Sequence, residues 1–391
     1  MIDYAILSCR TLNMLTRRHF TKGIVGSLFA SQVEGFAGIK GLKKPSVLDP
    51  DRGIEGKGWS MVVLPDTQNY AKFAKNQQHF DLMTEWIRDH IGAWNIKAVL
   101  HEGDFVEQND IKEGGGRGWG EQNSASQWRS AQRSMSTLYG HVPTILTTGN
   151  HDYGIRNAET RETQFNNHFG LTDNPLVCDG KGGGIWREGF PNSFGAVTLE
   201  NALYTFDAPD GRKMLVLSLE WGARDEVVEW AKSVLAKQEY QDHFGILLTH
   251  AYLNGDNLRD GTKGHQSGNP HTYPTGKNGQ TTNDGTELWE KLVKVSPQLK
   301  LVLNGHIMGR HVGYRKDAAD GGHKVHQMVF NAQGLGGGSD ERGNGGDGWL
   351  RILTFEPNGK ELSVRTFSPL RQKLGKDMWN TGDDHDFVVS V

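Results

Sequence analysis

Five short stretches carry side chains able to share a metal ion. They are Asp66-Thr67-Gln68, Gly103-Asp104, Gly149-Asn150-His151-Asp152, Thr249-His250 and Gly305-His306. Carboxylate, amide and imidazole groups are the ligands that divalent cations take. Singly, each stretch is ordinary: a Gly-Asp is usually a turn, and a His after a strand is more often a satisfied surface or core group. All five, however, follow an apolar run by zero to four residues. Acids and histidines buried together are costly unless a cation compensates them. The chemistry such a set can perform is hydrolysis. Two cations roughly 3.5–4 Å apart clamp the attacking and leaving oxygens of an in-line phosphoryl displacement, and a water shared between them loses a proton near neutral pH. The chain shows no nucleophile elbow that would supply a Ser or Cys instead.

The elements that must position these residues read as alternating strands and helices. Apolar runs at 59–68, 96–104 and 141–152 are followed by "KMLVLSLEWG", "HFGILLTHAY" and "LKLVLNGHIMG". Between them, "NQQHFDLMTEWIRDHI" places Phe80, Met83, Trp86, Ile87 and Ile91 at helical spacing. "RDEVVEWAKSVLAKQ" and "NDGTELWEKLVKV" behave alike, with Asp284 as the N-cap of the latter. Alternation of this kind predicts an α/β architecture, in which ligands gather outside the carboxyl ends of the strands. The tail "GWLRILTFEPNGKELSVRTFSP" predicts two strands around an Asn358-Gly359 turn, added antiparallel to the sheet. Gly-rich stretches at 113–120 and 334–348 predict long loops.

Composition narrows the class. The chain has 391 residues and a net charge of −3 with both signs mixed, so a nucleic-acid scaffold is not expected. Glycine supplies 51 residues, well above the usual share of about 7%. Residues 1–37, with Arg17-Arg18, Phe20 and Lys22 ahead of "GIVGSLFA", are expected to be a twin-arginine-type export signal, with Met14 a possible true start. Its apolar run is too short for a stable membrane span, which needs ~20 residues. The expected partner is export machinery, and the expected location is periplasmic or extracellular in a bacterium. Cys9 falls in this leader, so Cys178 has no partner for an internal disulfide.

In order and placement, Asp66-x-Gln68, Gly103-Asp104, Gly149-Asn150-His151-Asp152, Thr249-His250 and Gly305-His306 resemble the motifs of the calcineurin-like metallophosphoesterase superfamily over roughly residues 59–311. The resemblance implies a four-layer α/β/β/α sandwich over 38–391, with 345–391 a C-terminal antiparallel β extension. The tail is similar to a secreted bacterial branch whose first motif is Asp-x-Gln. The resemblance also implies two divalent metal ions (Mn, Fe or Zn). Asp66, Gln68 and Asp104 would hold the first; Asp104, Asn150, His250 and His306 would hold the second. His151 would be the general acid and Asp152 its orienter.

Two positions depart from the pattern. Gln68 and Met308 stand where many relatives carry histidines for the first metal. That site is therefore expected to be weaker and to prefer harder ions such as Mn²⁺ or Mg²⁺. His311 is a poor substitute on spacing. Arg310 and Arg315 are candidates to meet a substrate phosphate. Glu107 and Asn109 are candidates to hydrogen-bond metal-bound water, and Glu220 to support the site. His101 is expected to be structural. The loop after His250, with His265, His271 and Tyr273, is a candidate pocket wall. The expected function is hydrolysis of a phosphate ester by a metal-activated hydroxide, phosphomonoesters before phosphodiesters. The rival is a catalytically weak phosphate- or glycan-binding protein on the same fold.

Overall fold

Three parallel strands deliver the first three motifs. β1 (Trp59–Leu64), β2 (Ile96–His101) and β3 (Thr144–Leu146) pair side by side in that order, and Asp66, Asp104 and Asn150 lie just past their carboxyl ends. All six residues of β1 are buried, as expected of a strand covered on both faces, whose sequence is a continuous apolar run. The computed structural model describes residues 42–115 and 119–391, within one compact unit, Ala37–Val391. The export-type leader, 1–37, lies outside the described residues. No described helix is long and apolar enough to cross a membrane.

The second sheet contains β4 (Trp186–Pro191), β5 (Val197–Asp207), β6 (Lys213–Ser218), β7 (Phe244–Leu248), β8 (Leu299–Asn304), β9 (Val312–Ala318) and β10 (Lys324–Phe330), in the order β4-β5-β6-β7-β8-β10-β9. Here β6, β7, β8 and β10 run parallel, so their exits also share one edge. Side-chain alternation sorts the layers. Met214, Val216, Ile246, Leu248, Leu301 and Leu303 join the first sheet's core. Leu215, Leu217, Leu247 and Val302 instead pack with Val227, Ala231 and Val234 of helix Asp225–Leu235 and with Leu288 and Leu292. Helices Ala74–Asp89 and Ser124–Ser136 cover the first sheet through Phe80, Met83, Trp128 and Met135. The result is helices, sheet, sheet, helices.

The C-terminal strands extend the first sheet. β11 (Leu350–Phe355) pairs antiparallel with β1, and β12 (Glu361–Phe367) with β11. Gly359 turns the hairpin at φ 66°. β13 (Trp379–Asn380) and β14 (Phe387–Ser390) both pair with β12. Asp284 caps its helix as expected, accepting from the Glu287 amide while the Glu287 side chain accepts from its own.

Candidate metal centre

Asp104, His250 and His306 converge. One ligand atom from each lies within 4.8 Å of the other two, although 202 residues separate Asp104 from His306 (306 − 104). His250 Nε2 is 3.1 Å from Asp104 Oδ2, and both side chains are buried. Each imidazole is held by a main-chain carbonyl: His250 Nδ1 by Glu102 at 2.6 Å, and His306 Nε2 by Gly268 at 3.0 Å. In the neutral ring that arrangement fixes the tautomer and puts the lone pair on the opposite nitrogen, as metal-ligating histidines require. Trp221 backs both rings, its centroid 5.6 Å from that of His250 and 4.9 Å from that of His306.

Whether these residues suit a cation is answered by their unpaired atoms. Gln68 Oε1 and Asn150 Oδ1 are buried and lack any hydrogen-bond partner. Orphaned acceptors of this kind are costly, and a cation would satisfy both. The amide orientations follow from their donors: Gln68 Nε2 donates to Asp104 Oδ2 at 3.1 Å, and Asn150 Nδ2 donates to Asn157 Oδ1. The backbone is also shaped around the ligands. A Cβ on Gly149 would lie 2.1 Å from Asp104 Oδ1, and one on Gly305 2.1 Å from Asp66 Oδ1. Asp104 and His306 themselves sit at φ 53° and 71°, a left-handed conformation that costs on the order of 1–3 kcal/mol and persists only where the surroundings enforce it.

Charge coupling follows the same geometry. Burial pushes Asp66 up to about 7, against the pull of the His250 charge. Burial also works against Asp104, but the His250 and His151 charges prevail and hold its carboxyl low. For His250, burial is outweighed by the Asp104 and Asp66 carboxylates, which carry it to about 10. Burial and the neighbouring His250 charge push His306 down to about 3. A single cluster thus contains one imidazolium, one imidazole and a shared carboxylate.

Asp66 is embedded differently. Its Oδ2 accepts from Asn331 Nδ2 at 2.7 Å and from Gln333 Nε2 at 2.9 Å, and His306 N–H points at both of its oxygens. Among the described residues Asp66 belongs to no close carboxylate–imidazole group. Asn331 and Gln333 are absent from the motif reading. They leave β10, which runs parallel to β8, so "MVF" before "NAQ" was the overlooked signal: a further apolar run with polar residues at its exit.

His151 stands beside Asp104, to whose Oδ1 its backbone N–H donates at 2.9 Å. Asp152 does not orient the ring, contrary to the expectation from sequence. Its carboxylate accepts the backbone N–H groups of Asp104, Phe105 and Gly149 at 2.8–2.9 Å, so it clamps the two ligand loops together. The reason is geometric: in the 3₁₀ turn Asn150–Asp152 its side chain turns back to cap that turn's first residues. The ring is held instead by the Glu107 carbonyl, 2.8 Å from Nδ1. Burial lowers the His151 pKa, but the Asp104 and Glu107 charges and that carbonyl raise it overall.

The other candidates divide. The Glu107 side chain pairs with the buried Lys72 at 3.3 Å. Asn109 ties Gly154 to Gln164, away from the centre. Glu220 binds Arg161, Arg224 and Asn201 and braces the strand exit. His101 bonds Thr67 and stacks on Phe105, a structural role as expected. His311 is held at the Asn331 carbonyl and is not in the imidazole cluster. Arg315 pairs with Asp317. Met308 is exposed and lines the chamber at the centre with Gln68, Asp104, Asn150, His151 and Gln333.

A layered α/β fold with two facing sheets and a carboxylate–imidazole cluster at the strand exits defines a metal-dependent phosphoesterase architecture. The family model of calcineurin-like phosphoesterases matches residues 61–310, and the chain belongs to that family. The family binds two divalent metal ions and acts on phosphate esters. Uncharacterized protein YvnB of Bacillus subtilis strain 168 is 29% identical over 347 residues, covering 85% of this chain. The chain spans only 22% of that relative's length. Among solved structures, GAP50, the anchor in the inner membrane complex of Plasmodium, is similar at a TM-score of 0.40 with 12% identity, over 80% of this chain and 85% of that one.

Proposed function

We propose that this protein hydrolyses a phosphate ester without a covalent enzyme intermediate. One observation supports this above the rest: two orphaned amide oxygens, of Gln68 and Asn150, stand with the His250 and His306 imidazoles around the buried carboxylate of Asp104. Asp104, Asn150, His250 and His306 would hold one ion, and Asp66, Gln68 and Asp104 the other. When bound, the ions supply charge against the phosphoryl oxygens and a water acidic enough to attack near neutral pH. Asp152 keeps the two ligand loops in register. The Glu107 carbonyl fixes His151 at Nδ1, which leaves Nε2 to give its proton to the departing oxygen. The ions are proposed to be Mn, Fe or Zn, with the Asp66 side the weaker. A positioned acid has no use in a mere phosphate or glycan binder, and this favours the enzyme reading.

Loading metal-free protein with Mn²⁺ and offering 4-nitrophenyl phosphate and bis(4-nitrophenyl) phosphate tests the proposal. Release of nitrophenol that stops on chelation is the expected result. Inertness with Mn²⁺, Fe²⁺, Zn²⁺ and Mg²⁺ alike would overturn it in favour of the binder. Export is part of the same proposal. Replacing Arg17 and Arg18 by Lys should retain the protein in the cytoplasm, and unchanged secretion excludes the twin-arginine route.

A further inference from the structure

The metal centre opens into two spaces of unequal size. The chamber at the centre measures about 190 Å³ and contains His151, Glu107 and Asn157 on its wall. Beyond it lies a cleft of about 570 Å³, within the range of small-molecule sites, roughly 300–1,000 Å³. The cleft meets the chamber only at Tyr273, His306 and Met308, and it touches none of His151, Glu107 or Asn157. Its walls are the 254–268 loop and the segment from His306 to Arg310. Two glycines let these walls approach. A Cβ on Gly268 would stand 2.2 Å from Ile307 Cδ1, and one on Gly255 2.9 Å from Arg310 Cβ. The Gly268 carbonyl also holds the His306 ring, so the cleft wall and a proposed metal ligand are one unit.

A monoester has a single organic arm, and it departs with the oxygen that His151 protonates. His151 lines the chamber and not the cleft, so an arm departing beside it is directed away from the cleft. An organic group seated in the cleft must hang from a different phosphoryl oxygen, one that stays bonded to phosphorus. From this geometry we infer that the substrate is a phosphodiester whose retained arm, polar and of about nucleoside size, occupies the cleft beside Met308, Ser267 and Arg310. This rests on the phosphoesterase reading above and reverses the substrate order expected from sequence. The step balances. The water oxygen bonds phosphorus, the bond to the departing oxygen breaks with its electron pair, His151 donates the proton that oxygen needs, and the proton lost by water passes to solvent. The products are an alcohol and the monoester of the retained arm. Met308, where many relatives have a histidine, supplies the apolar lip between the two spaces.

Three esters with one leaving group test this: 4-nitrophenyl phosphate, methyl 4-nitrophenyl phosphate and thymidine 5′-(4-nitrophenyl phosphate). In the Mn²⁺-loaded protein, kcat/KM for the thymidine ester should exceed that of each of the others by about tenfold or more, the scale of a filled pocket. Ser267→Trp places a large ring in the cleft at an exposed position. It should cut the thymidine-to-monoester ratio by about tenfold, and a ratio is insensitive to the fraction of folded protein. Calorimetry provides a readout without turnover: thymidine 5′-phosphate should bind more tightly than methyl phosphate, and Ser267→Trp should erase the difference. A monoester preference, or ratios unmoved by Ser267→Trp, overturns this inference and leaves the phosphoesterase reading standing. No hydrolysis of any of the three sinks both.

Discussion

The two halves of the metal centre are built from different chemistry at the strand exits of the two sheets. Around His250 and His306 the donors are imidazoles, each fixed by a backbone carbonyl. Around Asp66 they are amides: Gln68 above, with Asn331 and Gln333 gripping the carboxylate. Imidazole suits Zn, Fe and Cu, whereas neutral oxygen donors suit harder ions and bind them less tightly. The lesson is that shared fold geometry does not require equal sites. Asp104, the side chain proposed to be common to both, is held by Gln68 on one side and His250 on the other.

The sharpest way to break the comparison is to remove what the halves share. Asp104→Ala should abolish metal-dependent turnover and reduce bound metal at both sites, as measured by elemental analysis of dialysed protein. Full metal occupancy in that variant would refute the bridging role. Next in size is His151→Ala. It should lower kcat by about 10²–10⁴-fold, the usual worth of a positioned acid, while metal content stays at the wild-type level. A matching loss of metal would mean that His151 is a ligand and that the acid lies elsewhere.

The comparison sharpens when only one half is altered. Asn331→Ala and Gln333→Ala should weaken the Asp66-side ion by about 10–100-fold, the typical effect of losing a group that orients a ligand. The other ion should titrate as before. The reverse experiment is Gln68→His, which should narrow the gap between the two Zn²⁺ affinities. Calorimetric titration resolves both cases, and two equal Zn²⁺ sites in the wild type would remove the asymmetry altogether.

Much of this was legible in the sequence because chemistry-bearing residues followed unbroken apolar runs. β1, β2, β7 and β8 are short and buried, so "MVVL", "AVL", "GILL" and "LVL" announce them, and the motif residue follows at once. The pieces that escaped lack that contrast. β10 begins with Lys324-Val325-His326-Gln327, where His326 and Gln327 are satisfied by Tyr314 and Asp317 of β9 and by Arg259. Its exit residues Asn331 and Gln333 therefore have only the short run "MVF" ahead of them and stand just before the Gly-rich stretch at 334–348. Helix Ser124–Ser136 is rich in Ser and Gln, and Trp128, Ala131 and Met135 alone form its apolar stripe. Asp152 departs from the sequence expectation for another reason. Adjacent letters suggested an acid beside its partner, but a tight turn sends the two side chains in different directions.

The smallest effect concerns protons, and it distinguishes an electrostatically strained apo centre from a relaxed one. Three buried groups hold protons in the metal-free fold at pH values where the unfolded chain does not. Burial raises Asp66 to about 7 and Asp152 to about 8, and the Asp104 and Asp66 carboxylates overcome burial to raise His250 to about 10. A raised folded pKa contributes stability that is complete below the unfolded value and lost as pH climbs through the folded one. His306 is shifted the other way, to about 3, so its contribution is lost as pH falls and is already complete above about 6.5, the ordinary histidine value. Between pH 6.5 and about 8, therefore, all the shifted members of this group act in one direction, and the apo protein should lose stability by about 1 kcal/mol or more per pH unit. Divalent ions held by Asp66 and His250 would displace the protons of those two groups, so loading with Mn²⁺ should flatten the slope and widen the gap between loaded and apo melting temperatures across the window. Scanning calorimetry of chelator-treated and Mn²⁺-loaded protein at pH 6.5 and 8 checks this. An apo melting temperature that rises over that interval would show that Asp66, Asp152 and His250 do not retain protons at the centre, and that its carboxylates are already balanced without a cation.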